Sequence, residues 1–121
     1  MGGGVSQFFE DAAGVTLWNP ANRVAGLFMR TTEAVGGLVS LPSGVGAMVS
    51  DECVIDVDVF VVFVEALVRE YRSSGHPVFR SLLEGWLATA VVMVWRAGRE
   101  LPALDDRLAE SARAQAAGMP V

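Results

Sequence analysis

The sequence predicts a mainly α protein: a small bundle of three principal helices with a weaker C-terminal helix, preceded by a short β-like N-terminal element. Two proline-led entries, Asn19-Pro20 and His76-Pro77, each open a long stretch with apolar residues at helical spacing. Between them, residues 56–72 (DVDVFVVFVEALVREYR) gather Asp58, Glu65, Arg69 and Arg72 into one narrow polar stripe and are apolar around the rest of the circumference. A helix that is apolar on most sides must be covered on several of them. This stretch is therefore expected to be the central element, wrapped by its neighbours.

The elements follow in order. A glycine-rich lead over residues 1–5 is expected to be flexible. Residues 6–10 and 15–18 are short extended candidates around the turn-prone Asp11–Gly14, with Phe8, Phe9, Leu17 and Trp18 as anchors. A two-stranded hairpin is marginal alone, so it should lie on the helices. Helix 1 is predicted over residues 20–39, with Asn19 as N-cap and Val24, Leu27, Phe28, Thr31, Val35 and Leu38 on its inner face. Gly36-Gly37 and Pro42 close it.

Residues 40–51 (SLPSGVGAMVSD) form a Gly/Pro/Ser loop of a length that is uncommon without a role. Residues 52–58 alternate apolar and acidic positions in the manner of a strand, and seven valines between Val54 and Val68 also favour extended structure. The i,i+4 pair Glu65–Arg69 and the polar stripe suit only the helical period, so helix is expected from Val57, with Asp56 as its cap. Helix 3 starts at Pro77 and presents Phe79, Leu82, Leu83, Trp86, Leu87, Ala90, Met93, Val94 and Ala97. Its short connection to helix 2 makes the two antiparallel neighbours. Gly98 and Pro102 end it. A final Ala-rich helix over residues 104–117 is anchored by Leu101, Leu104 and Leu108, and residues 112–121 are expected to fray.

Composition narrows the function classes. A chain of 121 residues is expected to be one domain, residues 1–121, that buries about two thirds of its unfolded surface. A net charge of −5 argues against a nucleic-acid partner, which requires a basic face. All nine basic residues are arginine, a pattern that GC-rich coding explains. The single cysteine, Cys53, provides no disulfide framework and fits a reducing cytoplasm. The N-terminal stretch lacks the pattern of a secretory signal. Residues 57–64 and 87–95, the longest apolar runs, fall short of the roughly twenty residues a membrane span requires. Cytoplasmic localisation without membrane attachment is the expectation.

No catalytic residue, metal ligand or cofactor site is assigned. The acids Asp51, Glu52, Asp56 and Asp58 around Cys53 match no calcium-loop spacing. Cys53 among Val and Ile reads as a small buried hydrophobe rather than a nucleophile paired with His76, and His76 reads as a helix cap. LPSGVG lacks the lysine and frame of a phosphate-binding loop. Glu65 and Glu84 read as parts of solvated salt-bridge faces. Arg23 and Arg30, seven apart on the outer side of helix 1, read as a plain exposed face, with reception of an acidic group as the alternative.

Two features point to partners. Behind its main face helix 3 carries Gly85, Ala88, Val91, Val92, Trp95 and Arg96, small residues beside a Trp and an Arg, the composition of an interface. Either a homodimer or another protein is expected to use Gly85, Ala88, Val92, Trp95 and Arg96, unless helix 4 or the hairpin covers them. The alternative is a small-molecule-binding or accessory enzyme protein with an apolar pocket between helices 2 and 3 at Tyr71, Trp86 and Met93, the 41–51 loop acting as lid.

The segments TLWNPANRVAGLFMRT, LPSGVGAMVSDEC and HPVFRSLLEGWLATA together resemble a small family of uncharacterised actinobacterial proteins, over residues 6–98. The pattern is an L-W-N-P helix entry, an L-P-x-G-x-G loop and an E-G-x-x-A helix. The resemblance implies an actinobacterial source and a domain of unknown function, and carries over no functional residue. The functional expectation is a noncatalytic protein–protein interaction module of the regulatory or toxin-neutralising kind.

Overall fold

In the computed structural model, which describes residues 5–121, the elements run β1 (Phe8–Glu10), β2 (Thr16–Trp18), α1 (Asn22–Gly36), β3 (Glu52–Val54), α2 (Val57–Ser73), α3 (Pro77–Arg96) and α4 (Asp106–Ala116). The described chain is mainly α with a small three-stranded sheet ordered β2-β1-β3. Of the expected flexible lead only Val5 lies within the described residues, and it is exposed.

The hairpin forms where the sequence placed it. β1 and β2 pair antiparallel, and Asp11 Oδ1 accepts the Ala13 and Val15 N–H groups at 2.9 Å in the turn. Alternation along β1 buries Phe9 and turns Phe8 outward, whereas in β2 the consecutive Leu17 and Trp18 are both buried, one on each face. The strand-like reading of residues 52–58 holds for its first half: β3 pairs in parallel with β1. Asp56 then accepts the Val59 N–H at 3.3 Å and α2 begins at Val57, as expected.

The 40–51 loop connects the two halves by close packing. Gly44 has φ +79°, and a Cβ there would stand 2.6 Å from the Asp56 carbonyl oxygen and 2.8 Å from the Phe60 nitrogen. The Asp56 N–H donates to Gly44 O at 2.8 Å and the Gly46 N–H to Val54 O at 3.1 Å. The glycines of LPSGVG thus let the loop lie against β3 and the first turn of α2. This packing gives both glycines an occupation within the chain, and the contacts of Gly44 with Asp56 and Phe60 lie at the opposite end of α2 from Tyr71.

Helix 1 departs from expectation in its start and its facing. Its N-cap is Ala21, without a side-chain hydrogen bond, because residues 19–21 continue the extended hairpin: Gln7 N–H donates to Pro20 O, and Ser6 bridges to Ala21. The buried stripe is Ala25, Phe28, Thr32 and Val35, whereas Val24, Leu27 and Leu38 are exposed. Phe28 sets this rotation. Its ring lies 5.3 Å from those of Phe9 and Trp18 and 5.8 Å from that of Trp86, and bringing it to the centre swings Val24 and Leu27 to the rim.

The central element is α3, not α2. α3 packs against α1, α2, α4 and β2, and every residue from Trp86 to Val94 is buried. α2 buries one face (Phe60, Phe63, Val64, Leu67, Val68 and Tyr71) and leaves Val62 exposed. By length and composition α3 is also apolar enough to cross a membrane, and 56% of that apolar window is buried against these neighbours. The polar stripe of α2 receives the α3–α4 connection. Arg99 pairs with Asp58, Glu65 accepts the Ala103 N–H at 2.6 Å, and Arg72 donates to Ala103 O at 2.8 Å. No Glu65–Arg69 pair forms among the described residues.

α4 starts at a cap, Asp105 Oδ1 accepting the Leu108 N–H at 2.9 Å, and buries Leu108 and Ala112 against α3. The segment expected to fray is docked instead. Met119 is buried, Asn19 N–H donates to Pro120 O at 2.7 Å, and Arg96 donates to Leu17 O at 3.0 Å and Met119 O at 2.8 Å. The guanidinium thereby ties β2 to the tail, and its second nitrogen also reaches Ala116 O at the end of α4 at 3.5 Å.

Candidate functional site

The face that the sequence offered to a partner is covered within the chain. Ala88 and Val92 are buried, Trp95 is half-buried, and Arg96 is occupied in holding β2 and the C-terminal tail. The shielding comes from α4, and only Gly85 of the five remains exposed. The residues drawn as a pocket do not share one either. Met93 is fully buried, and Trp86 donates its indole N–H to Thr32 Oγ1 and stacks on Phe28, away from Tyr71. Phe63, Val64 and Leu67 of α2 and Leu83, Leu87 and Met93 of α3 are all buried in the common core.

Two of the open places combine features that bear on function. The first is a polar cavity of about 550 Å³ between α3 and α4, with Tyr71 of α2 reaching its wall. Tyr71 O–H donates to Glu84 Oε1 at 2.7 Å, Ser111 O–H to Glu84 Oε2 at 2.9 Å, and Arg107 Nε to Glu84 Oε1 at 3.3 Å. Three helices are thereby tied to one carboxylate. The Tyr71 hydrogen bond, ahead of those from Ser111 and Arg107, holds the Glu84 carboxyl below its ordinary value, although burial works the other way. Burial, and then the hydrogen bond to Glu84, pushes the Tyr71 phenol up. Arg80 lays its guanidinium 4.7 Å from the Tyr71 ring centroid. Of this cluster the sequence singles out Tyr71 and Glu84, but in separate roles. The i,i+4 spacing of Arg80 and Glu84 was the signal available, but α4's part in the cluster has no local trace.

The second place is an apolar groove of about 380 Å³ between α1 and α3. Its floor is Trp18, Phe28 and Trp86. Its rims are Val24 and Leu27 on one side and Leu82 on the other, 48%, 68% and 79% exposed. Arg23 and Arg30 stand exposed beside Leu27 on α1. Leu82, expected in the core, and Gly85 lie on the α3 side.

The residues weighed for chemistry have structural occupations. Cys53 is fully buried in the sheet and directs its thiol to Gly46 O at 3.2 Å; burial pushes the thiol up to about 11, although the Gly46 hydrogen bond acts in the opposite sense. A thiol so protonated is a poor nucleophile. His76 caps α3, its Nδ1 accepting the Phe79 N–H at 3.4 Å. Among the described residues no three His, Cys, Asp or Glu side chains converge in a way that can hold a metal ion.

What these features define is a mainly α domain with a small sheet, a polar cavity and an apolar groove. The chain belongs to a family of unknown function, DUF6086, whose model matches residues 5–121. The match continues past Gly98 through α4 and the tail, beyond the 6–98 span of the motif resemblance. No curated protein and no solved structure matches the chain.

Proposed function

We propose that the chain is a noncatalytic protein-interaction module that docks another protein in the groove between α1 and α3. The observation that carries this reading is the groove itself: Leu27 and Leu82 stand 68% and 79% exposed on either side of a floor of Trp18, Phe28 and Trp86. Contiguous exposed apolar surface around aromatic residues is where binding energy concentrates.

The rim decides the kind of partner. Arg23 and Arg30 flank Leu27 in a chain whose net charge is −5, so the complementary surface is acidic beside its apolar anchors. An isologous contact centred on this groove would set the basic rim against its own copy. The occupant is therefore an acidic amphipathic segment of another protein, and a regulatory or toxin-neutralising role falls within that class.

Selection of a randomised peptide library on the immobilised protein tests the reading. Enriched peptides should share apolar residues three or four apart with Asp or Glu between them. Their binding should be lost in Leu27→Asp and Leu82→Asp. Enrichment of basic peptides, or a concentration-dependent dimer that Leu82→Asp dissociates, would overturn it.

A further inference from the structure

The polar cavity between α3 and α4 carries an inference independent of the docking groove. Its wall holds two guanidinium groups, Arg80 and Arg107, and one carboxylate, Glu84. Both oxygens of Glu84 are engaged: one takes Tyr71 and Arg107, and the other takes Ser111. Arg107 is the cation paired with it. Arg80 is the charge left over. It sits one helical turn from Glu84 but stacks on Tyr71, and its Nε is buried with no hydrogen-bond partner.

A buried donor without an acceptor is costly, and a charged one more so. The Tyr71 ring fixes the guanidinium plane, so the ordering cost of a fork-shaped donor is met before any ligand arrives. A cation entering the cavity would compete with Arg107 for Glu84 and would face Arg80. An anion meets an uncompensated guanidinium and displaces nothing.

We propose that this cavity binds a small oxyanion, a carboxylate or phosphate group of a small molecule, through the guanidinium of Arg80. The planar fork matches two oxygens of either group. With about 550 Å³ the cavity has room for the body of a small metabolite beside the anionic group.

The test follows the Arg80 Nε–H resonance of 15N-labelled full-length protein, assigned by its loss in Arg80→Lys. Sodium phosphate and sodium acetate are titrated separately against sodium chloride at equal ionic strength. The proposal expects a saturable shift of that resonance with one or both oxyanions. Saturation by phosphate alone assigns a phosphoryl ligand, and by acetate alone a carboxylate. Followed on neighbouring backbone amides, binding should weaken at least tenfold in Arg80→Lys and vanish in Arg80→Gln. It should be unchanged in Arg113→Gln, an exposed arginine of α4 outside the cavity. A non-saturating shift equal to that from chloride, or binding that survives in Arg80→Lys at full strength, overturns it. Because the wild-type titration and Arg80→Lys suffice, an Arg80→Gln protein that fails to fold does not blunt the result.

Discussion

Trp86 Nε1 donates to Thr32 Oγ1 at 2.9 Å, joining the central helix to α1 through two buried side chains. The same hydroxyl donates to Phe28 O at 2.7 Å, so it serves as acceptor and donor at once. The bond sets the height at which Trp86 enters the cluster of Phe9, Trp18, Phe28 and Phe63. Thr32→Val keeps the volume and removes the acceptor, leaving a buried indole N–H unsatisfied at a cost of about 1–3 kcal/mol. Urea unfolding checks this. A Thr32→Val protein as stable as the parent means that the bond carries no weight.

The Tyr71–Glu84 bond gives stability a dependence on pH at both ends. Glu84 has a folded value below its ordinary 4.5, so its contribution is full above 4.5 and is lost as pH falls through the lower folded value. Tyr71 has a folded value above its ordinary 10.0, so its contribution is full below 10.0 and is lost as pH rises through the higher folded value. Glu84→Gln should flatten the acid limb of an unfolding midpoint plotted against pH. Tyr71→Phe should flatten both limbs, because its hydroxyl is the largest cause of the Glu84 depression. An acid limb that stays intact in Tyr71→Phe contradicts the assignment.

Local signals made much of this fold legible, and the failures share a cause. His76-Pro77, Asp56 and the turn at Asp11 specify their own helix starts and hairpin, because caps and turns act within a few residues. The facing of α1 is not legible locally, because Val24, Leu27 and Leu38 fit the helical period as well as Ala25 and Thr32 do. Only the distant rings of Phe9, Trp18 and Trp86 select between them. The valines of α2 make it look like the centre in sequence, whereas the small Ala88 and Thr89 of α3 give no such signal although they lie against α4. The polar cavity was illegible for the same reason, since Glu84 meets Ser111 and Arg107 only through tertiary packing.

Gly44 allows the 40–51 loop its contact with α2, and Gly14 separates that role from simple turn geometry. Both have positive φ, +79° and +85°, but a Cβ at Gly14 meets nothing within 4 Å. Gly14→Ala should cost about 1–2 kcal/mol for the left-handed backbone alone. Gly44→Ala adds a clash with the backbone of Asp56 and Phe60 and should cost at least ~2 kcal/mol more. Chemical denaturation of the two variants compares them. Equal losses would remove the close approach as the reason for the glycine.

Arg96 anchors the C-terminal tail through Leu17 O and Met119 O, so its loss should be felt at both ends of the chain. Arg96→Met keeps the aliphatic stem and removes the donors, at a cost of about 2–4 kcal/mol for hydrogen bonds from a charged group. Hydrogen exchange should rise at the Asn19 amide, which donates to Pro120 O, and along the last turn of α4. Unchanged protection there would mean that Met119 burial alone holds the tail.

Two aspartate substitutions on α3 separate the outer surface from the core. Val92 is 2% exposed beneath α4 and Leu82 is 79% exposed on the groove rim, ten residues earlier on the same helix. Val92→Asp places a carboxylate among apolar side chains with no partner, a change that exceeds about 3 kcal/mol and commonly prevents folding. Leu82→Asp exposes the charge to water and should move stability by no more than about 0.5 kcal/mol. Thermal unfolding with circular dichroism distinguishes them. If Val92→Asp folds normally, α4 does not cover that face and the original interface returns. If Leu82→Asp unfolds the protein, the groove belongs to the core and its apolar rim cannot be a docking surface.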